Sequence, residues 1–171
     1  MTSSSSASPA RPDDPRAPRL QDTIRLSADG LAKVLGDLEA RVLQAVWRLE
    51  VPAPARAVHA EVVRDHHVAP LTVTTVLNKL VDKRILVRRK VDELLHYSAR
   101  LSEEEFLAHV SRRVAEGILA FEPARVAASV IDVMAERDPA QLDELERLIQ
   151  AARRQRDAAT GTQTRTETRT P

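Results

Sequence analysis

The chain has 171 residues, of which 43% are hydrophobic and 30% charged, and its net charge is only +1. This length accommodates one ordinary domain or a small domain with an appended element, and the low glycine and aromatic content favours aliphatic helices over a sheet-rich fold. Since cysteine is absent, disulfides and thiolate metal sites are excluded. With no secretory signal and no apolar stretch of the roughly 20 residues that a membrane helix needs, we expect a cytoplasmic protein with no membrane partner.

The charges are distributed unevenly along the chain. Residues 71–90 contain six basic residues and one acidic residue, whereas residues 101–150 contain five basic and eleven acidic residues. The first segment therefore suits a polyanionic partner, and the second would repel one.

Four segments are predicted from composition and periodicity. Residues 1–34 and 156–171 are polar and hold too few apolar side chains to offset the entropy of ordering, so both are predicted to be disordered tails. Residues 35–100 and 101–155 are predicted to be folded domains. Leu31 and Val34 are candidates for docking on the first of these domains.

Three helices and a hairpin are predicted within residues 35–100. The helices run from about 37 to 50, from Pro54 onwards, and from about 70 to 83, and strands 85–91 and 94–99 form the hairpin. This order is that of a winged helix-turn-helix domain. Its third helix enters the major groove of DNA, and its hairpin, the wing, lies beside that helix.

The predicted third helix has an apolar face and a polar face. Val73, Val76, Leu77 and Leu80 share one side at 3.6 residues per turn and are predicted to be buried. Threonine and asparagine on the other side can bond to base edges, and the basic residues can bond to phosphates, although the threonines are also acceptable as plain surface residues. The predicted DNA-binding residues are Leu71, Thr72, Thr74, Thr75, Asn78, Lys79, Arg88, Arg89 and Lys90.

Residues 101–155 are predicted to form three short amphipathic helices. With no sheet to cover, these helices must pack on each other or on a partner subunit, and a homodimer is the predicted outcome. The predicted dimerisation residues are Phe106, Val110, Val114, Ile118, Val130, Met134, Leu145 and Leu148. The predicted fold class is mainly α: a winged helix-turn-helix domain with a small β-hairpin wing, followed by a helical dimerisation domain.

Three segments together resemble the BlaI/MecI family of penicillinase repressors, which includes the copper-responsive CopY repressors. The segments are LGDLEARVLQAVW, TVTTVLNKLVDKRILVRRK and LLHYSARLSEEEF, and the resemblance covers about residues 35–150. It implies a cytoplasmic homodimeric repressor on an inverted-repeat DNA operator. In the best-known members, release from DNA follows cleavage of the repressor after a membrane sensor detects a β-lactam.

This chain departs from the family pattern at three points. The Asn–Phe bond that is cleaved in the best-known members has no counterpart, because Asn78 is the only asparagine, and the cysteine motif that senses copper is absent. Neither induction mechanism therefore carries over, although an inducer-linked protease stays open as a partner. Arg84 stands where the family usually has glycine, which would cost strain if φ is positive there.

No catalytic residue, metal ligand or cofactor is predicted. His66 and His67 are adjacent and cannot easily share one ion, and no phosphate loop, activated nucleophile or pair of apolar-flanked carboxylates is present. An enzyme is therefore not expected. Two alternatives to a DNA-binding repressor stay open: a small-molecule-responsive winged-helix regulator, and a winged-helix protein-interaction module that does not bind DNA.

Overall fold

The computed structural model describes Pro18, residues 30–120 and residues 122–166, with side chains described as far as residue 158. The predicted N-terminal tail therefore lies largely outside the described residues. The chain divides into two compact units, the first ending at Glu116 and the second beginning at Gly117.

The first unit contains a small sheet among four helices. After a 3₁₀ helix over Gly30–Lys33, its elements are α1 (Asp37–Leu49), β1 (Ala53–Pro54), α2 (Ala55–Val62), α3 (Pro70–Asp82), β2 (Leu86–Val91), β3 (Leu94–Ala99) and α4 (Glu103–Leu119), whose last residues belong to the second unit. Leu31 and Val34 are 6% and 5% exposed in the core. The folded unit therefore starts before residue 35, since these two apolar side chains dock on it.

Helix α1 begins at Asp37, and Gly36 is its N-cap. The Gly36 backbone N–H donates to Glu39 Oε2 at 3.1 Å, so that one orphan donor of the first turn is satisfied. Glycine has no side chain to complete the reciprocal half of a capping box. Val42, Leu43 and Val46 recur at helical spacing and are buried, which fixes α1 against the rest of the unit.

The sheet has three antiparallel strands in the order β1-β3-β2. In β1, Ala53 lies opposite Tyr97 and Pro54 opposite His96. We predicted Pro54 as the first residue of the second helix, but it lies in β1 and caps α2, which begins at Ala55. Strand β1 was missed because two residues carry no readable alternation.

The predicted hairpin is confirmed. Strands β2 and β3 pair from Leu86 opposite Ala99 to Val91 opposite Leu94. The turn residues Asp92 and Glu93 have φ of 46° and 65°. Two left-handed residues in a row match the right-handed twist of the flanking strands, so the turn closes a tight hairpin.

Trp47, near the end of α1, contacts the start of α4. Its indole N–H donates to the Leu101 carbonyl at 2.9 Å, and its ring meets Phe106 edge to face with centroids 5.6 Å apart. Phe106, which we predicted at a dimer interface, is 1% exposed within the first unit. That assignment is corrected, because a side chain buried in its own unit has no surface left for a second protomer.

The start of α4 is capped by Ser102. Ser102 Oγ accepts from the Glu105 N–H at 3.1 Å, and the Ser102 N–H donates to Glu105 Oε2 at 2.9 Å, which forms a capping box. The first unit thus continues past residue 100, the predicted domain boundary, to Glu116.

The second unit contains helices α5 (Pro123–Arg137) and α6 (Ala140–Thr166). Helix α6 runs past residue 155, where the folded part was predicted to end. No residue of α5 is buried, and Val130, Ile131 and Leu148 are 47%, 46% and 57% exposed. Among the described residues, none of the helices combines the length and the hydropathy that a bilayer span requires.

Candidate nucleic-acid interface

Helix α3 presents one buried side and one exposed side, as predicted. Pro70 occupies its first turn, where the missing N–H costs nothing. Val73, Leu77 and Leu80 are fully buried, whereas Leu71 is 77% exposed. A large apolar side chain that projects into solvent from the start of this helix is free to contact a partner.

The hydroxyl groups of two threonines on α3 already donate to the helix itself. Thr74 Oγ1 donates to the Pro70 carbonyl at 3.1 Å, and Thr75 Oγ1 donates to the Leu71 carbonyl at 3.0 Å. Each hydroxyl has one proton, so these oxygens can only accept a further hydrogen bond. The exposed Thr75 therefore offers an acceptor and a methyl group to a partner.

Asn78 connects α3 to the wing. Its Oδ1 accepts from Arg88 Nη1 at 2.8 Å and from the Tyr97 hydroxyl at 3.3 Å. Arg88 and Tyr97 lie opposite each other in the β2–β3 register and so share one face of the hairpin. These two hydrogen bonds hold α3 against the wing, so that the helix and the hairpin form one continuous surface.

The basic residues of the wing point to different sides. Because side chains alternate along a strand, Arg88 and Lys90 share one face of the hairpin and Arg89 lies on the other, opposite His96. All three are exposed. Lys90 Nζ lies 2.6 Å from Glu93 Oε2 in an exposed pair, which is worth little in water and leaves the lysine available.

A buried carboxylate on α1 holds two lysines of α3. Glu39, with its side chain 5% exposed, receives Lys79 Nζ at 2.9 Å and Lys83 Nζ at 2.6 Å. Lys83 is 17% exposed and Lys79 58% exposed. Lys79 can therefore leave for a phosphate while Lys83 continues to balance the charge of Glu39.

The pKa of Glu39 is lowered from its ordinary value of 4.5. Burial disfavours the charged form and by itself would raise the pKa, but hydrogen bonds from Lys83, Lys79 and the Gly36 backbone outweigh it. Sequence reasoning missed this cluster, because Lys79 and Lys83 follow Glu39 by 40 and 44 residues along the chain.

Arg84 joins α3 to the wing in a left-handed conformation, with φ of 59°. The Arg84 N–H donates to the Val81 carbonyl and the Ile85 N–H donates to the Leu80 carbonyl, each at 2.9 Å. This is the Schellman ending of a helix, in which glycine usually supplies the left-handed residue. The strain that the sequence predicted for a positive φ is therefore present at this joint.

The remaining predicted dimerisation residues lie in both units. In the first unit, Val110 is partly buried against the core, and Val114 is partly exposed. In the second unit, Ile118, Val130 and Leu148 are 40%, 47% and 57% exposed. Met134 and Leu145 there are half-buried.

The histidines do not form a metal site. Among the described residues, which include all five histidines, no group of three or more histidines, cysteines or carboxylates is arranged to hold an ion. His59 Nε2 lies 2.9 Å from the Val68 carbonyl and braces the turn between α2 and α3. Burial and, after it, the charge of Arg113 lower the pKa of His109, while Glu116 opposes them.

Three helices around a common core, a third helix with an exposed polar face and an antiparallel wing define a winged helix-turn-helix protein. A comparison with protein families assigns the chain more narrowly than this fold class does. The chain belongs to the penicillinase repressor family, a family of transcriptional repressors, whose model matches residues 35–151. No curated protein matches the chain.

Proposed function

We propose that this protein is a homodimeric transcriptional repressor that binds an inverted-repeat operator in double-stranded DNA. The residues that would carry binding are those of the α3–wing surface, namely Leu71, Thr72, Thr74, Thr75, Asn78, Lys79, Arg88, Arg89 and Lys90. In a dimer, two α3 helices would lie in successive major grooves about 34 Å apart, so the operator would be palindromic.

The observation that carries this proposal is the hydrogen bond between Asn78 on α3 and Arg88 on β2, 2.8 Å long. It joins an exposed polar helix face to a strand with exposed Arg89 and Lys90, so that groups suited to base edges adjoin groups suited to phosphates. Outside that surface, the acidic residues of α4 to α6 would repel DNA.

The homodimer is supported by the apolar side chains of the second unit. Helices that leave Val130, Ile131 and Leu148 about half exposed have not completed a core of their own. A second copy of the same chain offers the same apolar surface, and a two-fold arrangement buries both. Such a dimer also matches the symmetry of an inverted repeat.

DNA binding is tested by selecting duplexes from a random pool with the full chain and then measuring affinity by fluorescence anisotropy over a range of salt. We expect binding whose log K falls with log salt by about 0.9 per neutralised phosphate. A full chain that binds no duplex even at low salt would overturn the proposal.

The variant Arg89→Ala/Lys90→Ala tests the role of the wing. It should weaken binding to all duplexes alike and flatten the salt dependence by up to about two units of slope. Its matched control, Arg125→Ala/Arg147→Ala, removes the same charge from exposed positions of the second unit and should change neither quantity.

For the small-molecule alternative, the first unit offers a cleft in which a ligand could bind. An open cleft of about 470 Å³ lies between the end of α1, the end of β3 and the start of α4, and Trp47, Glu50 and Arg100 are among its lining residues. A volume of this order suits a small ligand. A thermal shift with a ligand panel, accompanied by release from DNA, would favour this mode of regulation.

A further inference from the structure

The side-chain amide of Asn78 has a fixed orientation. Arginine has only donors, so the Asn78 atom that faces Arg88 Nη1 at 2.8 Å must be the oxygen. The Tyr97 hydroxyl, on a residue that is 1% exposed, donates to the same oxygen at 3.3 Å. Two donors occupy its two lone pairs, and the amide NH₂ is left with both protons.

This arrangement conflicts with the usual way in which asparagine reads DNA. Asparagine binds adenine through both ends of its amide: the oxygen accepts from N6 and the nitrogen donates to N7. Here the oxygen of Asn78 is engaged by the wing, so contact with adenine would break its bond to Arg88. The outward groups of this pair, the amide NH₂ and the remaining guanidinium N–H groups, are all donors.

We infer that Asn78 and Arg88 act as one donor-only unit that binds an acceptor-only group of the operator, with Asn78 serving as the positioning residue for Arg88. In the major groove, the guanine edge with N7 and O6 is the base edge that presents two adjacent acceptors and no donor, and on the backbone the phosphate oxygens do the same. This inference rests on the proposed DNA binding and makes it specific, since it excludes the bidentate pairing of Asn78 with adenine N6 and N7.

Arg89 provides an internal contrast. It follows Arg88 directly but lies on the opposite face of the hairpin, opposite His96, where it is not held against α3. The two arginines carry the same charge, so differences between their variants report the contact with Asn78. Arg88→Lys keeps the charge and loses the planar fork, and Arg89→Lys makes the same change on the other face.

The experiment uses the full chain and a duplex recovered by selection with the wild-type protein. Each guanine is replaced in turn by 7-deazaguanine, each adenine by purine, which lacks the N6 amino group, and each phosphate by a methylphosphonate, and affinity is measured by anisotropy. We expect one guanine or one phosphate per half-site whose modification weakens wild-type binding roughly tenfold or more. The same modification should have little further effect on Asn78→Ala or on Arg88→Lys, whereas Arg89→Lys should still respond as the wild type does.

The outcomes separate the possible readings. If a guanine modification loses its effect in Asn78→Ala and Arg88→Lys, the inference is supported and Asn78 and Arg88 bind a base. If a phosphate modification does so, the inference is supported and the two residues bind the DNA backbone. A loss of affinity on the change from adenine to purine that disappears in Asn78→Ala would overturn the inference. It would also be overturned if no modification has a smaller effect on Asn78→Ala and Arg88→Lys than on the wild type. If the wild type binds no duplex, the proposed function itself fails. Thermal unfolding of each variant controls for misfolding. Tyr97→Phe, which removes one donor to Asn78 and keeps the buried ring, is measured in the same way.

Discussion

The two units of this protein use similar aliphatic helices to different ends. In the first unit, Leu43 and Leu77 are fully buried against a small sheet and neighbouring helices. In the second, α5 buries none of its residues, and Leu148 on α6 is 57% exposed. An apolar stripe therefore identifies a packing face without revealing whether its partner lies in the same chain.

The contrast extends to the charged residues. The first unit holds a buried carboxylate, Glu39, between two lysines from another helix. The second unit has exposed pairs along a single helix, such as Arg147 with Glu144 at 2.6 Å. The first arrangement fixes tertiary structure, and the second contributes little in water.

The largest expected effect comes from truncating the core. Leu43→Ala should lower the free energy of unfolding by about 2–5 kcal/mol, because it removes buried methyl groups and leaves a cavity. Leu148→Ala should instead weaken self-association, so that its effect on the melting temperature depends on protein concentration. Calorimetry at several concentrations measures both. A Leu148→Ala effect as large as that of Leu43→Ala at every concentration would show that the second unit has a core of its own.

An intermediate effect is expected from the buried carboxylate. Glu39→Gln should destabilise the protein by about 1–3 kcal/mol, since it leaves the half-buried Lys83 without its counter-charge. Glu144→Gln, which makes the same change in an exposed pair, should cost less than about 0.5 kcal/mol. Chemical unfolding gives both values, and equal effects would contradict the distinction between the two kinds of ion pair.

The lowered pKa of Glu39 sets the sign of a pH dependence. The folded state binds the Glu39 proton less readily than the unfolded state, whose pKa is near the ordinary value of 4.5. The stabilisation is therefore fully present above that pH and is lost as pH falls through the lower, folded pKa. Unfolding curves from pH 7 down to pH 3 should show this loss in the wild type. The curves of Glu39→Gln should lack that part of the slope.

The smallest expected effect concerns backbone strain. Among the described residues, all four non-glycine residues with positive φ, Glu50, Arg84, Asp92 and Glu93, lie in the first unit. Arg84→Gly should raise the free energy of unfolding by up to about 1 kcal/mol, because glycine adopts the left-handed conformation without strain and loses only part of that gain to its freer unfolded state. Arg84→Val should lower it, and thermal unfolding orders the three proteins.

Local pattern predicted most of the first unit. Helix α1 was predicted from about 37 to 50 and runs over Asp37–Leu49, and α3 and both wing strands lie within one or two residues of their predicted bounds. These elements have strong helical periodicity or clear strand composition, and their ends carry recognisable cap and turn residues. At Arg84, where the family usually has glycine, strain was expected only if φ is positive, and the structure has φ of 59° there.

What local pattern could not predict are contacts between distant residues. The bonds of Asn78 to Arg88 and Tyr97, and of Glu39 to the two lysines, depend on how elements pack, and no spacing within one element encodes them. Phe106 was misassigned for the same reason. Its place on an amphipathic helix was correct, but the partner of that helix face is Trp47 in the same unit.

The most direct test of the central claim is the mass of the complex between the full chain and a selected inverted-repeat duplex, measured by light scattering after size exclusion. The account predicts two chains per duplex, and a duplex with one half-site scrambled should bind much more weakly. One chain per duplex with equal affinity for both duplexes, or no complex at low salt, would contradict it.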